Sequence, residues 1–404
     1  MKERLYIKNF GPIKEAEVHI DKVTILIGRQ GSGKSTVAKL YSLFSWLEKS
    51  LMRHSLTEKH ITQYARFRKT YCAYNGIDDY FSDTTVIDFD GFHYSFSYAE
   101  GVLRVWEREL GNDVFNISKV MYVPAERSIL GSVDHPSLIK GLGQSMAAFS
   151  EEYGLAKLNI RSGYMLPFES VGFEYDVLND MPKLKLEEGK EIKLSASSSG
   201  FQSSLPLLLV SKNLLDMVRN SSEAKDLSVR EREALQKEVE SILTDNQLSE
   251  EVKAASLRTI SSRFRYTRFV NIVEEMELNL FPDSQKGVLY ELLENAKSLD
   301  GNRLLLTTHS PYVISYLTLA VKAESLARMA EGNTVLRARI NEIVPEHSQI
   351  ASSDVVVYEM DNGKACRLDD YEGLPSDDNF LNERLNDTNV SFDALLEIED
   401  ELRG

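Results

Sequence analysis

Two cysteines in 404 residues, Cys72 and Cys366, lie far apart and form no C-x-x-C pair. That scarcity excludes a disulfide framework and a cysteine-built zinc site, and it argues for a reducing, cytoplasmic setting. No apolar run approaches the roughly 18 residues of a membrane span, and the first four residues lead straight into a strand pattern rather than a signal peptide. Internal repeats and long heptad arrays are missing too, which sets aside solenoids and extended coiled coils. Basic charge is in deficit: 47 Lys and Arg face 62 Asp and Glu, a net charge of -15. The deficit is local, because residues 354–404 hold 15 acidic and 4 basic side chains. The body of the chain is nearly neutral. The acidic segment reads as a solvated face, a docking element for a basic partner, or a shield that keeps nucleic acid off an idle site.

What is present begins at residues 23–36, VTILIGRQGSGKST. The first five residues form a continuous apolar run, rich in β-branched residues, of the kind found at the centre of a doubly covered parallel sheet. Gly28, Arg29, Gln30, Gly31, Ser32, Gly33, Lys34 and Ser35 then satisfy G-x-x-x-x-G-K-[ST], a loop whose glycines turn backbone N–H groups inward around phosphate oxygens. Lys34 is positioned by this spacing to reach the β and γ phosphates of ATP, and Ser35 to hold Mg²⁺. Thr36 onward has helical spacing, so a helix N-terminus points at the anion. Strand, loop and helix follow in the order such a site requires.

Along the chain, residues 3–27 predict three strands, 50–80 a helical stretch rich in cations and aromatics, and 84–110 a β-meander turning at Asp90-Gly91 and Glu100-Gly101. Residues 119–124 predict a core strand, 127–190 an irregular, partly helical insertion, and 205–265 mostly helix, with Ser228 and Glu231 spaced as a capping box. Strand, helix and strand return at 268–275, 284–298 and 303–308, followed by a hairpin at 355–368 turning on Asn362-Gly363 and a short C-terminal helix. The organisation expected is an N-terminal part with the phosphate loop and meander (1–126), a helical insertion (127–265), a C-terminal part that returns to the same sheet (266–350) and an acidic hairpin and tail (351–404). The fold class is α/β, a P-loop fold with a mixed and parallel sheet, an antiparallel β-subdomain and helical insertions.

Two strand ends add chemistry. Residues 268–275 form an apolar strand closing on Glu274 and Glu275, which puts one acid near Mg²⁺ and the next beside an attacking water as general base. Residues 304–311 form a second such strand closing on His309, at the edge where ligands bind in open α/β sheets and within reach of a γ-phosphate.

With residues 9–13 (NFGPI), 123–127 (VPAER), 274–282 (EEMELNLFP) and 307–311 (TTHSP), the chain resembles ABC-type ATPases of the SMC-like branch, close to the OLD-like ATPases of bacterial anti-phage defence systems. The resemblance spans residues 1 to about 316. It implies a head-to-tail homodimer, or a larger assembly built from it, that sandwiches ATP: Ser199, Gly200 and Gln202 of a signature-like loop would close on the phosphate held by the other subunit's Lys34. Glu126 would join Ser35 and Glu274 around Mg²⁺, with Glu275, His309 and Lys34 catalytic. Three departures favour a slow switch over a fast pump: Glu274 stands where Asp is usual, Ala125 replaces the usual loop glutamine, and residues 198–202 (SSGFQ) match the signature loosely.

The function implied is a regulatory ATPase of anti-phage defence that controls a separately encoded effector, a nuclease or toxin. The 95 residues after His309 carry neither the HNH nor the Toprim pattern of a nuclease of its own. The alternative is a DNA-repair or chromosome-maintenance SMC-like ATPase, whose long coiled coil is not visible here; a transporter ATPase fits less well, and no membrane partner is expected. For nucleic acid there are two candidate stretches, Arg53 to Lys69 with Tyr64, Phe67 and Tyr71, and Arg258, Arg263, Arg265 and Arg268. A solvated basic helix face explains either equally.

Overall fold

A computed structural model describes residues 2–109, 116–220, 227–245 and 247–403. The chain opens with β1 (Glu3–Phe10), β2 (Ile13–Ile20) and β3 (Val23–Gly28). β2 mixes exposed and buried positions, as a strand with one solvated face does, whereas β3 is buried at every position and belongs to a sheet covered on both sides. α1 (Lys34–Met52) leaves the phosphate loop, and β4 (Phe81–Asp90), β5 (Tyr94–Ala99) and β6 (Val102–Glu107) form the expected meander before β7 (Ser118–Val123). α2 (Gln144–Ile160) precedes β8 (Ser162–Met165), β9 (Gly172–Asp176), β10 (Met181–Lys185) and β11 (Glu191–Lys193). Then come α3 (Ser199–Arg219), α4 (Val229–Thr244), α5 (Glu250–Arg263), β12 (Arg268–Val273), α6 (Pro282–Lys297), β13 (Arg303–Thr308), α7 (Pro311–Met329) and α8 (Thr334–Ile343). β14 (Val355–Asp361), β15 (Lys364–Arg367) and α9 (Phe380–Arg403) complete the series.

Eleven strands make one sheet in the order β6-β5-β4-β1-β2-β15-β14-β3-β13-β12-β7. β14, β3, β13, β12 and β7 run parallel, and the β6-to-β2 half is antiparallel. The late hairpin joins the halves. β14 lies beside β3, while β15 meets β2 at Lys364 and Glu15. Gly363, at φ +80, lets its turn press on residues 12–14: a Cβ there would sit 2.7 Å from the Pro12 carbonyl oxygen. Segment 351–404 therefore supplies two central strands of the large sheet as well as the acidic helix.

The fold class agrees with the sequence, and three local expectations give way. The stretch 50–80 is not one helix, because positive φ at His54 and Ala65 breaks it into short turns, among them a π-helical turn at Phe67–Cys72. In and just past 127–190, β8 to β11 form a four-stranded antiparallel sheet whose strands of three to five residues are too short and too charged to show a period of two. The C-terminal helix is 24 residues long and leaves Phe392, Leu395, Leu396 and Leu402 exposed. α4 and α5 pack against each other over a small core of Leu227, Ile260 and Phe264, and the capping box of Ser228 and Glu231 is present.

Candidate functional site

The loop 28–35 sits at the C-terminal end of the parallel half, between β3 and α1. Gly28 (φ +137) and Gly33 (φ +104) are required there. A Cβ on Gly28 would lie 2.2 Å from the Met360 carbonyl oxygen of β14, and one on Gly33 would lie 2.7 Å from Ile13. Lys34 is buried, and its Nζ donates to the carbonyls of Gly28 (2.7 Å) and Arg29 (2.8 Å). Burial pulls its pKa down to about 8 against the opposing charges of Glu275, Glu277 and Glu274. The Ser32 hydroxyl is buried without a protein partner, Ser35 and Gly31 are exposed, and Arg29 stacks 4.7 Å over the Phe380 ring at the start of α9.

β12 and β13 deliver the acids and the imidazole beside this loop. Glu274 is buried with Oε1 unpartnered, and its neighbour Glu275 adopts φ +44, its N–H held by the Thr307 hydroxyl at 3.1 Å. His309 Nε2 lies 3.6 Å from Glu275 Oε1. Burial and Lys34 lower the His309 pKa, with Glu275 opposing, so the ring is neutral near pH 7. Glu277 accepts the His309 N–H at 2.6 Å, and burial raises its carboxyl. The structure thus brings Lys34, Glu274, Glu275 and His309 together at one end of three adjacent parallel strands.

Arg127 is a residue that sequence reasoning quoted without giving it a role. Fully buried, it donates to the carbonyls of Glu274 (2.6 Å), Glu275 (2.7 Å), Ser203 (3.1 Å) and Pro124 (3.2 Å). Burial lowers its pKa to about 10, opposed by Glu277, Glu275, Glu274 and Glu126. It clamps the acid pair to the end of β7 and to α3. Its neighbour Glu126 is exposed.

The signature-like residues begin α3. Ser198 is the N-cap with no side-chain cap, Ser199 is exposed, and Gly200 packs against the Asn279 carbonyl, where a Cβ would come within 2.9 Å. Gln202 is turned into its own loop, donating to the carbonyls of Ser195 and Ser197 at 3.0 Å each. Pro206 inside α3 cannot donate to the Gln202 carbonyl, and Gly131 packs onto that freed oxygen.

The residues present suit Mg²⁺ with a nucleotide. Ser35 and Glu274 offer oxygen ligands, the Ser32 hydroxyl of the loop and Glu274 Oε1 are both buried without a partner, and Glu274 lies close enough to Lys34 to act on its charge. Among the described residues no group of three His, Cys, Asp or Glu side chains makes a metal site by itself. Neither proposed nucleic-acid stretch survives intact. Arg53 is fully buried, bonded to Glu231, Tyr266 and the Phe264 carbonyl, and Phe67 and Tyr71 are core residues. Arg268 is buried against Glu3 (3.0 Å) and Ser118, and Arg263 pairs with Glu238. These side chains hold the fold, while Lys59, Tyr64, Arg68, Lys69, Arg258 and Arg265 of the two stretches remain exposed.

No curated protein matches the chain in sequence. Among solved structures it is similar to an SMC head domain from Thermotoga maritima, with 12% identity over 92% of this chain and 99% of that one at a TM-score of 0.35. It is also similar to the recombination mediator RecF, with 10% identity over 91% and 98% at 0.29. A third likeness is to a bacterial ABC transporter cassette, 11% identical over 91% and 100% at 0.28. No helix among the described residues is long and apolar enough to cross a membrane. The family model described as AAA ATPase domain matches residues 1–90, the stretch that holds the phosphate loop and α1, and the sheet around that loop is a large mixed parallel and antiparallel one flanked by helices.

Proposed function

We propose that the chain binds ATP with Mg²⁺ at loop 28–35 and hydrolyses it slowly, as a head-to-tail homodimer acting as a regulatory switch. The observation that carries this reading is the meeting of Lys34, Glu274, Glu275 and His309, with the Glu275 carboxylate 3.6 Å from a neutral imidazole. Backbone N–H groups of the loop and the Lys34 ammonium hold the phosphates. Glu275 takes the proton of the attacking water, and His309, which donates no charge of its own near pH 7, orients Glu275 or the terminal phosphate. When bound, Mg²⁺ neutralises charge on the phosphate oxygens, with Ser35 and Glu274 as its protein ligands. The uncapped N-terminus of α3 with exposed Ser199 supports closure by a second copy. The biological setting, regulation of a separately encoded nuclease or toxin in anti-phage defence, rests on the four stretches that resemble OLD-like ATPases.

Glu275→Gln tests the chemistry. It keeps shape and should leave ATP affinity within about threefold while lowering turnover at least about a hundredfold, whereas Lys34→Ala should weaken binding itself. Isothermal titration and phosphate release separate the two effects. Undiminished phosphate release in Glu275→Gln removes Glu275 from the role of base, and wild-type turnover well above roughly 10 s⁻¹, the ordinary enzyme median, contradicts a slow switch.

A further inference from the structure

α9 starts beside the nucleotide loop and runs out into solvent. Its first turn is held: Leu381 is buried, the Phe380 N–H donates to Glu359 of β14 at 2.9 Å, and the guanidinium groups of Arg29 and Arg384 lie 4.7 and 5.0 Å from the Phe380 ring. From Glu383 onward every described side chain of the helix is exposed except partly buried Glu399. This free part is amphipathic. At about 100° per residue, Phe392, Leu395, Leu396, Ile398 and Leu402 fall on one half of the circumference, and all but Leu396 are more than half exposed. Glu383, Asp387, Asp393, Glu397, Asp400 and Glu401 fall on the other half. Asp387 borders the apolar half on one side, Asp393 and Asp400 on the other. Two residues break the division: Val390 stands among the acids, and Glu399 lies in the apolar half, where it pairs with Arg403. Residues 383–403 hold seven acids and two cations, and both cations are paired within the helix, Arg384 with Asp387 and Arg403 with Glu399. Among the described residues no ion pair reaches Glu383, Asp393, Glu397, Asp400 or Glu401.

We infer that the apolar half of α9 docks into a protein partner that presents an apolar groove bordered by lysine or arginine. Exposed apolar side chains three and four residues apart on a helix are the anchors of helix-in-groove recognition, and acids on both borders meet cations on both rims of such a groove. Charge disfavours the other covers. A second α9 would set Asp387, Asp393 and Asp400 against their like, helices that lie on an anionic membrane carry Lys and Arg on the polar half, and nucleic acid has the sign of the helix itself. A solvated face or an electrostatic shield needs no apolar half. The root of α9 ties docking to the nucleotide: Arg29 belongs to the phosphate loop, and Glu359, which holds the Phe380 N–H, precedes Met360, whose carbonyl abuts Gly28. A partner that reorients α9 therefore acts on the loop through both contacts, and phosphates that draw Arg29 off the ring loosen the root of the helix. This coupling, unlike the docking, rests on the ATPase reading above.

The test uses the whole chain and a fluorescein-labelled helical peptide of three heptads, leucine at a and d and lysine at e and g, followed by anisotropy without nucleotide. Saturable binding is expected, weakened roughly tenfold or more by Leu395→Ser combined with Leu402→Ser, and likewise by Asp393→Lys combined with Asp400→Lys. All four positions are exposed, so the unfolding transition should stay in place. Equal binding of a glutamate-for-lysine peptide, equal binding of a serine-for-leucine peptide, or no effect of either pair of substitutions would each overturn the assignment. So would binding to phosphatidylglycerol vesicles, or a larger species in sedimentation of the wild type that the two serine substitutions abolish, which would make a second copy the cover of α9. The ATP analogue AMP-PNP with Mg²⁺ should then shift the peptide Kd by at least about threefold, and Phe380→Leu should abolish the shift while leaving the nucleotide-free Kd as it was. An unshifted Kd removes the coupling alone. A chain that binds peptide but neither binds nor hydrolyses ATP refutes the ATPase reading and leaves the docking site standing.

Discussion

Arg127 shows what one side chain does when burial denies it water and no carboxylate comes close enough to pair. A buried guanidinium must still fill its five N–H donors, and here they go to carbonyls from β7, from α3 and from the acid pair, 147 residues away in sequence at Glu274. That fork fixes the backbone on which Glu275 takes its positive φ. Lysine carries the charge but not the fork. Arg127→Lys is therefore expected to lower kcat roughly ten- to a hundredfold with KM for ATP changed less than about threefold, while Arg127→Met, which leaves buried carbonyls unsatisfied, should also destabilise the fold. Steady-state kinetics beside thermal unfolding decide it, and a Lys variant with unchanged kcat would make Arg127 purely structural. The loop, the acid pair and His309 were legible in the sequence because each chemistry is written in neighbouring residues. Arg127 was not, since its partners are carbonyls, which every residue has.

Elements divided in the same way. The central strands announced themselves because burial on both faces demands unbroken apolar runs, and the capping box of α4 because its two partners lie three residues apart. The small sheet β8 to β11 hid behind short charged strands, and the docking of the α4–α5 hairpin hid because it depends on a distant ion pair. Arg53 of the segment after α1 bonds Glu231 at 2.9 Å, with both side chains buried, and Lys49 stands 3.9 Å away. Burial works to raise the Glu231 carboxyl, but Lys49 and Arg53 prevail and hold it at about 2. A carboxyl depressed in the folded state stabilises it above the unfolded pKa of about 4.5, and that contribution fades as pH falls toward 2. Glu231→Gln should thus lose about 2 kcal/mol at pH 7, and the gap from wild type should narrow through pH 4 and 3. Urea unfolding at the three pH values measures this, and a gap independent of pH would assign the loss to packing instead of charge.

The whole molecule is closed by its own late hairpin: β14 lies against β3, and the Met360 carbonyl abuts Gly28, so the phosphate loop is complete only when residues 355–361 have joined the sheet. In the proposed dimer, the face of loop 28–35 toward the γ-phosphate is closed by the head of a neighbour's α3, where Ser199 is exposed. If two copies supply these halves to each other, defects in different halves must complement. Lys34→Ala spoils the loop of its own chain, and Ser199→Arg, at an exposed position, spoils only the site it closes on a neighbour. Mixed in equal amounts and paired at random, half the dimers are mixed, and each of these keeps one of its two sites fully native. The mixture should therefore recover about a quarter of wild-type phosphate release although either variant alone is nearly inactive. Recovery should also rise with total protein concentration, as mass action requires of a dimer. A mixture no better than its parts, or a Ser199→Arg chain that hydrolyses ATP normally by itself, would mean that each head works alone and that the N-terminus of α3 serves something other than a neighbour's phosphate.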